Sequence, residues 1–599
     1  RLWISELLRR CRNIIQNQSQ GVNVIRYLLY RLNNKIIKNQ LYKIPCSLLS
    51  NLYLKVQCVP FNNIPFNFSL VNHNPPIADL LDCIDSSERT HELFARLIKN
   101  NTEQRGILYT SKADIVGFKN PEELAEKYNN VLYHRHQYAR IEIFKNHFYI
   151  KEYDENVYEI IYKLKKYAES GIKNYTHSVD LWMKNSGLII DCDEKKNALR
   201  NLFKNSKVAF IYGAAGTGKS TMINYISSLF KDKQKIFLAN TNPAVENLRR
   251  KVTAEHAEFV TITKFLSKDV SNDCDILCLD ECSTISNRDM VRVLQRAQCK
   301  LLVLVGDIYQ IESILFGNWF NIAYKVMPKD SVAELTRPHR TTVQGLIEVW
   351  NKVREITEDR LEFITRNGLS STLDESIFSR TEEDEIVLCL NYDGIYGINN
   401  INKFLQSNNV NPSINWGVLS YKVGDPVLFN ESNRFAPLVY NNLKGKILQI
   451  EEEEDCIYFT IEVYTVLNEL DVIGFDLELK ESVTDETSVI RFKVGRGGDG
   501  NDDNDNVENV VPFQVAYAIS IHKAQGLEYE SVKVVITSEI EEMVSHNIFY
   551  TAITRAKSKL KIYWSPETEK RILENMKVQF NDKDYQLFKA KYKEALLKS

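Results

Sequence analysis

The sequence predicts an α/β fold with two parallel sheets, a small all-β insertion and an α+β region that precedes them. From about residue 176 to 330, apolar strands alternate with helical segments, which is the pattern of a parallel sheet. A second block of this kind runs from 331 to 420 and resumes from 511 to 599. Between its two parts, residues 421–510 form alternating β-like runs, which predict an insertion.

The region before the first sheet, residues 1–175, is rich in Asn, Lys, Tyr and Ile. Asn120 and Pro121 have the residue types of a helix start. Residues 131–153 alternate aromatic, basic and apolar side chains and predict strands. Such a stretch can track a nucleic-acid backbone, but a half-buried antiparallel hairpin with a solvated basic face is the favoured interpretation.

Composition narrows the class of protein. Lys plus Arg number 76 and Asp plus Glu 78, so any contact with nucleic acid must come from local patches. No uninterrupted apolar run is long enough to span a bilayer, and we expect no membrane partner. Eleven scattered cysteines favour a reducing, cytoplasmic setting. The stretch 495–509 is rich in Gly, Asn and Asp and is expected to be a mobile loop.

The strongest motif is a phosphate-binding loop between an apolar strand and a helix, within residues 208–229. Glycines let the backbone turn tightly so that its N–H groups point at an anion. Lys219 places a cation against the β- and γ-phosphates, and Ser220 offers a hydroxyl to Mg²⁺. The residues assigned to this loop are Gly213, Gly216, Thr217, Gly218, Lys219 and Ser220. The chain is therefore expected to bind a nucleoside triphosphate.

Paired carboxylates follow the apolar run 275–279 at the expected end of a strand. Asp280 can hold Mg²⁺ through water, and Glu281 can orient or deprotonate the attacking water. Gln310 comes just after another strand and can sense the γ-phosphate through its amide. Arg340 and Arg555 come from the second block and can reach across a cleft to stabilise charge on the transferring phosphoryl group.

This ordered set of motifs resembles superfamily 1 helicases, and within them the RecD/Dda-like branch, over about 190–420 and 511–565. The segment 516–526 (AYAISIHKAQG) looks like the RecD-type sequence, whereas UvrD-type proteins carry Lys where Gln525 stands. The resemblance implies two RecA-like lobes, named 1A (176–330) and 2A (331–420 and 511–599). It also implies that the insertion at 421–510 is an SH3-like 2B element.

The resemblance also implies an activity, which is ATP-dependent 5′→3′ translocation on single-stranded DNA with ATP and Mg²⁺. By resemblance, the ATP site comprises Lys219, Ser220, Asp280, Glu281, Gln310, Arg340, Gly526 and Arg555, and Glu528 contacts the ribose. The residues implied to face single-stranded nucleic acid are Thr241, Asn242, Pro243, Thr261, Ser520 and His522.

The chain departs from this family at three places. Lys195 aligns with a Gln that often recognises adenine, which puts adenine selectivity in question. Thr263 stands where the family carries a His. RecD-like helicases also insert a wedge hairpin before the paired carboxylates, whereas here residues 267–274 leave no room for a substantial one.

Two alternatives to a motor remain open. A nucleic-acid-stimulated ATPase switch would license a partner effector such as a nuclease, docked on residues 1–175. An RNA helicase or remodeller on the same lobes is also compatible with the motifs, because the motor chiefly grips the backbone. A generic P-loop NTPase such as a kinase is disfavoured, because it gives no reason for the order of Gln310, Arg340, His522 and Arg555.

Overall fold

The structure is a computed structural model, and its helices and strands are numbered here in chain order. It describes residues 2–17, 44–46, 52–54, 90–132, 134–214, 216–267, 272–310, 316–337, 341–392, 394–416, 419–430, 434–436, 438–482, 484–495, 509–538, 544–576 and 582–597. The described helices are α1 (Leu2–Gln16), α2 (Thr90–Arg105), α3 (Pro121–Val131), α4 (Lys151–Ala168), α5 (Tyr175–Asn185), α6 (Asp193–Asn201), α7 (Lys219–Leu229), α8 (Asn242–Lys251), α9 (Ile262–Leu266), α10 (Asn287–Arg296), α11 (Trp319–Val326), α12 (Gln344–Glu355), α13 (Arg360–Arg366), α14 (Ile398–Ser407), α15 (His546–Ile553), α16 (Pro566–Asn575) and α17 (Asp582–Leu597).

The strands are distributed over sheets of quite different size. They are β1 (Ile44–Cys46), β2 (Leu52–Leu54), β3 (Thr110–Ser111), β4 (Ile141–Phe144), β5 (His147–Ile150), β6 (Val208–Gly213), β7 (Lys235–Ala239), β8 (Ala257–Thr261), β9 (Asp273–Leu279), β10 (Gln298–Gly306), β11 (Val332–Leu335), β12 (Ser370–Ser371), β13 (Glu385–Cys389), β14 (Ser413–Trp416), β15 (Leu419–Lys422), β16 (Pro426–Phe429), β17 (Lys444–Glu452), β18 (Cys456–Val463), β19 (Glu478–Lys480), β20 (Ser488–Gly495), β21 (Phe513–Val515), β22 (Ala518–Ser520), β23 (Tyr529–Val535) and β24 (Ala556–Tyr563).

The first lobe is built on a parallel sheet with the strand order β11-β6-β10-β9-β7-β8. Its central strands are continuous apolar runs, because helices cover both faces. Helices α4, α9, α10 and α11 pack on one face, and α5, α6, α7 and α8 pack on the other. This layering places the carboxyl ends of β6, β9 and β10 side by side at one edge of the sheet.

The second lobe is built on a parallel sheet with the order β12-β24-β23-β13-β22. Helices α12, α13, α15 and α16 pack on one face, and α14 packs on the other. The prediction of an α/β protein with two RecA-like parallel-sheet lobes is therefore confirmed.

The insertion is a six-stranded antiparallel sheet in the order β19-β20-β18-β17-β16-β21, with the hairpin β14–β15 packed against its core. It extends beyond the predicted limits of 421 and 510, because Trp416 contributes to its core and Phe513 pairs with Phe429. Part of the predicted loop, 496–508, lies outside the described residues. The SH3-like character of this sheet remains a prediction.

Two other predicted limits also need correction. Strand β11 pairs with β6, so the first lobe continues past residue 330. The predicted region 1–175 includes helix α4, yet Val157, Ile160 and Leu164 belong to the core of the first lobe. The position of α4 follows from burial, since each face of a parallel sheet needs a helical cover.

The C-terminal helix α17 does not belong to the second lobe, as the range 511–599 predicted. Leu587 and Phe588 enter the core of the first lobe. The buried Asp584 carboxylate accepts hydrogen bonds from the backbone N–H groups of Leu108 (2.7 Å) and Tyr109 (3.0 Å). A buried carboxylate requires such donors, so this pairing fixes where the helix docks.

The region before the lobes contains the antiparallel sheet β3-β5-β4 beside α2 and α3. The favoured hairpin within 131–153 is confirmed over Ile141–Ile150. The strand prediction is wrong on both sides, where His134–Ala139 is a 3-10 helix and α4 begins at Lys151. Acidic residues in the first turn of α4 and an apolar face at helical spacing explain that start.

Among the helices that the structure describes, we find none with the length and hydrophobicity required to cross a lipid bilayer.

Candidate nucleotide site in the cleft between the two parallel sheets

The phosphate loop connects β6 to α7 and depends on glycine for its shape. Gly216 and Gly218 have φ values of +77° and +85°, in the left-handed region that favours glycine. Gly213 is needed for another reason, since a Cβ there would lie 2.4 Å from the Thr217 hydroxyl oxygen. That buried hydroxyl donates to the Ala214 carbonyl over 3.0 Å. The loop is thus a closely packed turn at the start of a helix.

The Lys219 side chain folds back over this loop. Its ammonium donates to the carbonyl oxygens of Gly213 (2.8 Å) and Ala214 (3.0 Å). A cation, the turn and the N-terminus of an eleven-residue helix therefore come together at one place. Each of these features favours an anion.

The paired carboxylates follow β9, the neighbour of β10 in the same sheet. Glu281 has a φ of +52°, a left-handed conformation that is costly for a residue with a side chain. Its N–H donates to Asp280 Oδ1 over 2.9 Å, and its carbonyl accepts from the Thr284 hydroxyl over 2.9 Å. The backbone strain at this position is held by these local bonds.

The electrostatics of the pair reflect groups from both lobes. Burial raises the pKa of Asp280. Burial, with the charge of Asp280 adding to it, raises the pKa of Glu281 to about 7. The cations Arg555, Lys219 and Lys251 oppose that rise, in this order. Glu281 therefore titrates near neutral pH in a field set by both halves of the chain.

Arg555 comes from the second lobe, two residues after α15, and is only 3% exposed. Its Nε donates to the Thr551 carbonyl over 3.0 Å, and Nη1 donates to the Leu527 carbonyl over 3.2 Å. The guanidinium is therefore buried and does not lie on the outer surface.

Further contacts cross the cleft beside these groups. The Asn247 side-chain amide in α8 donates to the Gly526 carbonyl of the second lobe over 2.7 Å. Lys251, one turn along α8, forms an ion pair with Glu528 over 3.7 Å. A Cβ on Gly526 would lie 3.8 Å from Glu281 Oε1, so this segment borders the carboxylate directly.

A second meeting of the lobes lies after β10. The N–H of Gln310 donates to the Asp307 carbonyl over 3.3 Å in a turn. The buried Asp307 carboxylate accepts from the Tyr550 hydroxyl of the second lobe over 3.4 Å. The Arg354 guanidinium lies 4.7 Å from the centre of the Tyr309 ring. Gln310 thus lies within a contact between the lobes, whereas Arg340 lies outside the described residues.

In the first lobe, the residues predicted to face nucleic acid follow the last two strands of the sheet. The Thr241 hydroxyl accepts from the Ala244 N–H over 3.4 Å and caps α8, whose first residues are Asn242 and Pro243. The Thr261 hydroxyl accepts from the Lys264 N–H over 3.2 Å and caps α9. Asn242 is exposed and Pro243 is buried. These residues share the sheet edge with the phosphate loop but lie towards its β8 end.

In the second lobe, the corresponding segment follows the edge strand β22. Ser520 is buried, and its hydroxyl accepts from the Lys523 N–H over 3.2 Å. His522 is exposed. Lys523 donates to the side-chain oxygens of Gln514 (2.9 Å) and Asn430 (3.1 Å), which join it to the insertion.

Asn247 and Lys251 are functional candidates that the sequence motifs do not predict. They are four residues apart on α8, so both point the same way, and that way is towards the second lobe. A sequence shows the spacing, but it does not show which face of a short polar helix meets a distant segment.

Two family models match the chain. A model described as AAA domain matches residues 192–374, and a model described as UvrD-like helicase C-terminal domain matches residues 515–563. These ranges contain the phosphate loop with the paired carboxylates and the segment from β22 to β24, respectively.

Several curated proteins are similar at low identity. An uncharacterized protein of Methanocaldococcus jannaschii is 24% identical over 61% of this chain, which spans only 37% of that relative. The RecBCD enzyme subunit RecD of Buchnera aphidicola is 23% identical over 65% of this chain and 78% of its own length. The ATP-dependent DNA helicase Pif1 of Campylobacter jejuni is 23% identical over 59% of this chain and 88% of its own length.

Solved structures of Pif1 helicases also match. One, from Bacteroides in complex with ADP-AlF3 and ssDNA, is 16% identical with a TM-score of 0.40 and covers 68% of this chain and 98% of its own. The Candida albicans structure is 19% identical with a TM-score of 0.39, over 65% of this chain and 99% of its own. At these TM-scores the likeness carries no argument about this chain.

Proposed function

We propose that this chain, which belongs to the RecD- and Pif1-like branch of superfamily 1 helicases, hydrolyses ATP to move 5′→3′ along single-stranded DNA. The family models and the RecD and Pif1 relatives confirm the resemblance that the motif order predicts. One observation carries the proposal. The Gly526 segment of the second lobe accepts a hydrogen bond from Asn247 of the first lobe over 2.7 Å and borders the Glu281 carboxylate.

The phosphate loop fits a triphosphate. Its left-handed glycines, Gly216 and Gly218, turn the backbone tightly at the start of α7, and Lys219 brings a cation to the loop. The carbonyls that now accept from the Lys219 ammonium are weaker partners than a phosphate, so we assign this ammonium to the β- and γ-phosphates. Gly213, Gly216, Thr217 and Gly218 shape the loop around them.

Ser220 and Asp280 supply a hydroxyl and a carboxylate, the hard oxygen ligands that suit Mg²⁺. We assign these two residues to hold the ion, which neutralises charge on the phosphates when bound. Asp280 directly follows β9, which is the neighbour of β10. The phosphate loop follows β6 at the same edge of the sheet.

Glu281 is assigned as the general base. With a pKa of about 7, its carboxylate can accept a proton from an attacking water near neutral pH. Arg555 is assigned to stabilise negative charge that develops on the phosphoryl group, and Gln310 and Arg340 are assigned to the same site. Because Arg555 and Glu281 belong to different lobes, hydrolysis would require both lobes in place.

The family resemblance predicts that Glu528 contacts the ribose. Its carboxylate forms the ion pair with Lys251, and its carbonyl accepts from Lys444 over 3.2 Å. We therefore propose that Glu528 also links the lobes, with the ribose contact still part of the proposal.

The cleft between the lobes contains both the nucleotide site and the assigned nucleic-acid path, so changes at the nucleotide can be coupled to movement along DNA. We assign the nucleic-acid path to the carboxyl ends of β7 and β8 in the first lobe and of β22 in the second. Its residues are Thr241, Asn242, Pro243, Thr261, Ser520 and His522. Opening and closing of the cleft about the nucleotide would move these two groups of residues relative to one another.

The scattered cysteines, free in the described part of the chain, support a cytoplasmic location.

The decisive experiment measures translocation and unwinding on 5′-tailed and 3′-tailed substrates. A streptavidin block at either end of a single strand reports direction, and a duplex beside the tail reports strand separation. The proposal expects displacement of the block at the 3′ end, driven by ATP and lost in Lys219→Ala. Displacement at the 5′ end instead, or hydrolysis without any movement, would overturn the motor assignment.

A DNA-stimulated ATPase switch is the second candidate, favoured by the short connection before the paired carboxylates. Helix α9 ends at Leu266 and β9 begins at Asp273, so residues 267–272 are all that joins them. No large wedge fits there. A switch would hydrolyse ATP on DNA yet leave the block in place.

The choice between a DNA and an RNA substrate needs a separate experiment. Stimulation of ATP hydrolysis is compared between DNA and RNA oligonucleotides of one sequence.

A further inference from the structure

Lys195 is a buried lysine in α6, close to the nucleotide cleft. Its side chain is 1% exposed, and its ammonium lies 2.5 Å from the carboxylate of Asp191, which precedes the helix by two residues. Burial of an ammonium is costly unless it is paired, so Asp191 makes this position possible. The contacts of its ammonium therefore indicate what this buried lysine does.

The Lys195 ammonium contacts the phosphate loop. A Cβ on Gly218 would lie 2.4 Å from Lys195 Nζ and 3.0 Å from Lys195 Cε. The tip of the side chain therefore packs against the glycine whose φ of +85° precedes Lys219. A side chain at Gly218 would therefore require the Lys195 ammonium to move.

Helix α6 also holds a second part of the cleft. The Glu194 carboxylate accepts from the Thr336 N–H over 3.1 Å and from its hydroxyl over 2.9 Å. Thr336 directly follows β11 and begins the segment that leads to Arg340. Two neighbouring residues of one helix thus contact the phosphate loop and a neighbouring strand end.

We propose that Lys195 is a positioning residue of the phosphate loop, which holds the left-handed turn at Gly218 and adds a positive charge beside the triphosphate. The inference rests on the proposed function. Such a contribution acts on the phosphates of the nucleotide and does not depend on whether the nucleotide base is adenine or guanine. It differs from recognition of adenine, the role that the resemblance implies for the Gln that the family often carries at this position.

The test replaces the charge but keeps the length of the side chain, as Lys195→Met. Asp191 is 37% exposed and can be solvated when it loses its partner. Lys196→Met is the matched control, because Lys196 is the next residue, is 41% exposed and pairs with Asp193. Binding of tripolyphosphate, which has neither base nor ribose, is measured by competition with a fluorescent nucleotide. The KM and kcat for ATP and GTP are measured on the same proteins.

Lys195→Met is expected to weaken tripolyphosphate binding and to raise the KM for ATP and GTP alike, each by about tenfold, as for loss of one charged contact. The kcat should change by less than about twofold, since the chemical groups remain. Lys196→Met should change none of these values. Unchanged tripolyphosphate binding with a raised KM for ATP alone would assign Lys195 to the base and overturn the proposal, and so would unchanged values throughout.

Lys195→Gln provides a second variant if Lys195→Met does not fold, because its amide can still donate to Asp191. It is expected to show the same loss of tripolyphosphate affinity, and wild-type affinity in it would overturn the proposal. Failure of the proposed function is distinguishable. It would appear as absence of DNA-stimulated hydrolysis in the wild-type chain, whereas tripolyphosphate binding tests Lys195 without any turnover.

Discussion

The guanidinium of Arg555 in the second lobe acts on the carboxylate of Glu281 in the first and lowers its pKa against the effect of burial. These residues are far apart in the chain and come from separate parallel sheets. Asn247 and Gly526 join the same two lobes by a direct hydrogen bond of 2.7 Å. The site between the sheets is therefore composite, and changes on either side of the cleft should alter the chemistry of Glu281.

The pH dependence of hydrolysis tests Glu281 as the base. Its pKa is about 7, raised mainly by burial, and only the deprotonated carboxylate accepts a proton. We expect kcat/KM for ATP to rise with pH through about 7 and to level off above, measured between about pH 5.5 and 8.5. Glu281→Gln should lower kcat at least about a hundredfold and remove this dependence. A flat wild-type profile would contradict the assignment.

The same raised pKa makes a prediction about stability. A folded-state pKa above the unfolded value of 4.5 favours folding fully below pH 4.5, and that contribution is lost as pH rises to about 7. Glu281→Gln does not titrate, so it should be more stable than wild type above pH 7, by on the order of 1 to 3 kcal/mol. Thermal unfolding midpoints at pH 5 and pH 8 measure this. Glu258→Gln, at an exposed position of β8, is the control and should show no such difference.

Lys251 should tune the same titration from outside the site. Its charge lowers the pKa of both Glu281 and Asp280. Lys251→Met is therefore expected to move the midpoint of the pH–rate profile upward, and more so at low salt, because Lys251 is exposed and screened by ions. Arg249→Met, which changes an exposed cation of the same helix, should leave the midpoint in place. If Lys251→Met does not move the midpoint, the charge of Lys251 does not influence the titration of Glu281.

Arg555 is expected to act on hydrolysis more than on binding. Arg555→Ala should lower kcat by about a thousandfold and leave nucleotide affinity within a few-fold of wild type. Its hydrogen bonds to Thr551 and Leu527 also support the fold, so Arg555→Lys is the companion variant that keeps a cation. Arg366→Ala, an exposed arginine of the same lobe, should be neutral. Equal loss of kcat in the control, or normal kcat in Arg555→Lys, would argue against a specific role for the guanidinium fork.

Much of the fold could be predicted because its strands are apolar runs that alternate with helices. The phosphate loop and the paired carboxylates were predictable because strand ends in a parallel sheet lie along one edge. The order of Gln310 and Arg555 along the chain pointed to a cleft between two lobes. These inferences depend on local pattern and on topology, both of which a sequence carries.

The parts of the fold and the site that the sequence does not predict depend on which surfaces pack against each other. Strand β11 follows the predicted end of the first lobe, yet it pairs with β6, because a sheet edge accepts a strand wherever the chain returns. The orientation of Asn247 is decided by the docking of two lobes. Lys195 occupies a predicted position, but its packing on Gly218 depends on the placement of α6. Such contacts between distant segments leave no periodic signal in the sequence.

The clearest of these distant contacts is also testable. Asp584 accepts two hydrogen bonds from the backbone of Leu108 and Tyr109 and is 2% exposed. Asp584→Asn replaces one acceptor with an amide donor that would face a backbone N–H, so the free energy of unfolding should fall by about 2 to 4 kcal/mol. Asp582→Asn changes an exposed carboxylate that pairs with Lys325 and should cost less than about 0.5 kcal/mol.

Urea unfolding followed by tryptophan fluorescence measures both variants, and limited proteolysis reports whether α17 has left its site. If α17 holds the N-terminal region on the first lobe, Asp584→Asn should expose residues 582–597 to protease before the lobes unfold. Since DNA contacts are assigned elsewhere, ATP hydrolysis by the folded variant should remain close to wild type. Equal stability of the two variants would show that the carboxylate does not determine where the C-terminal helix docks.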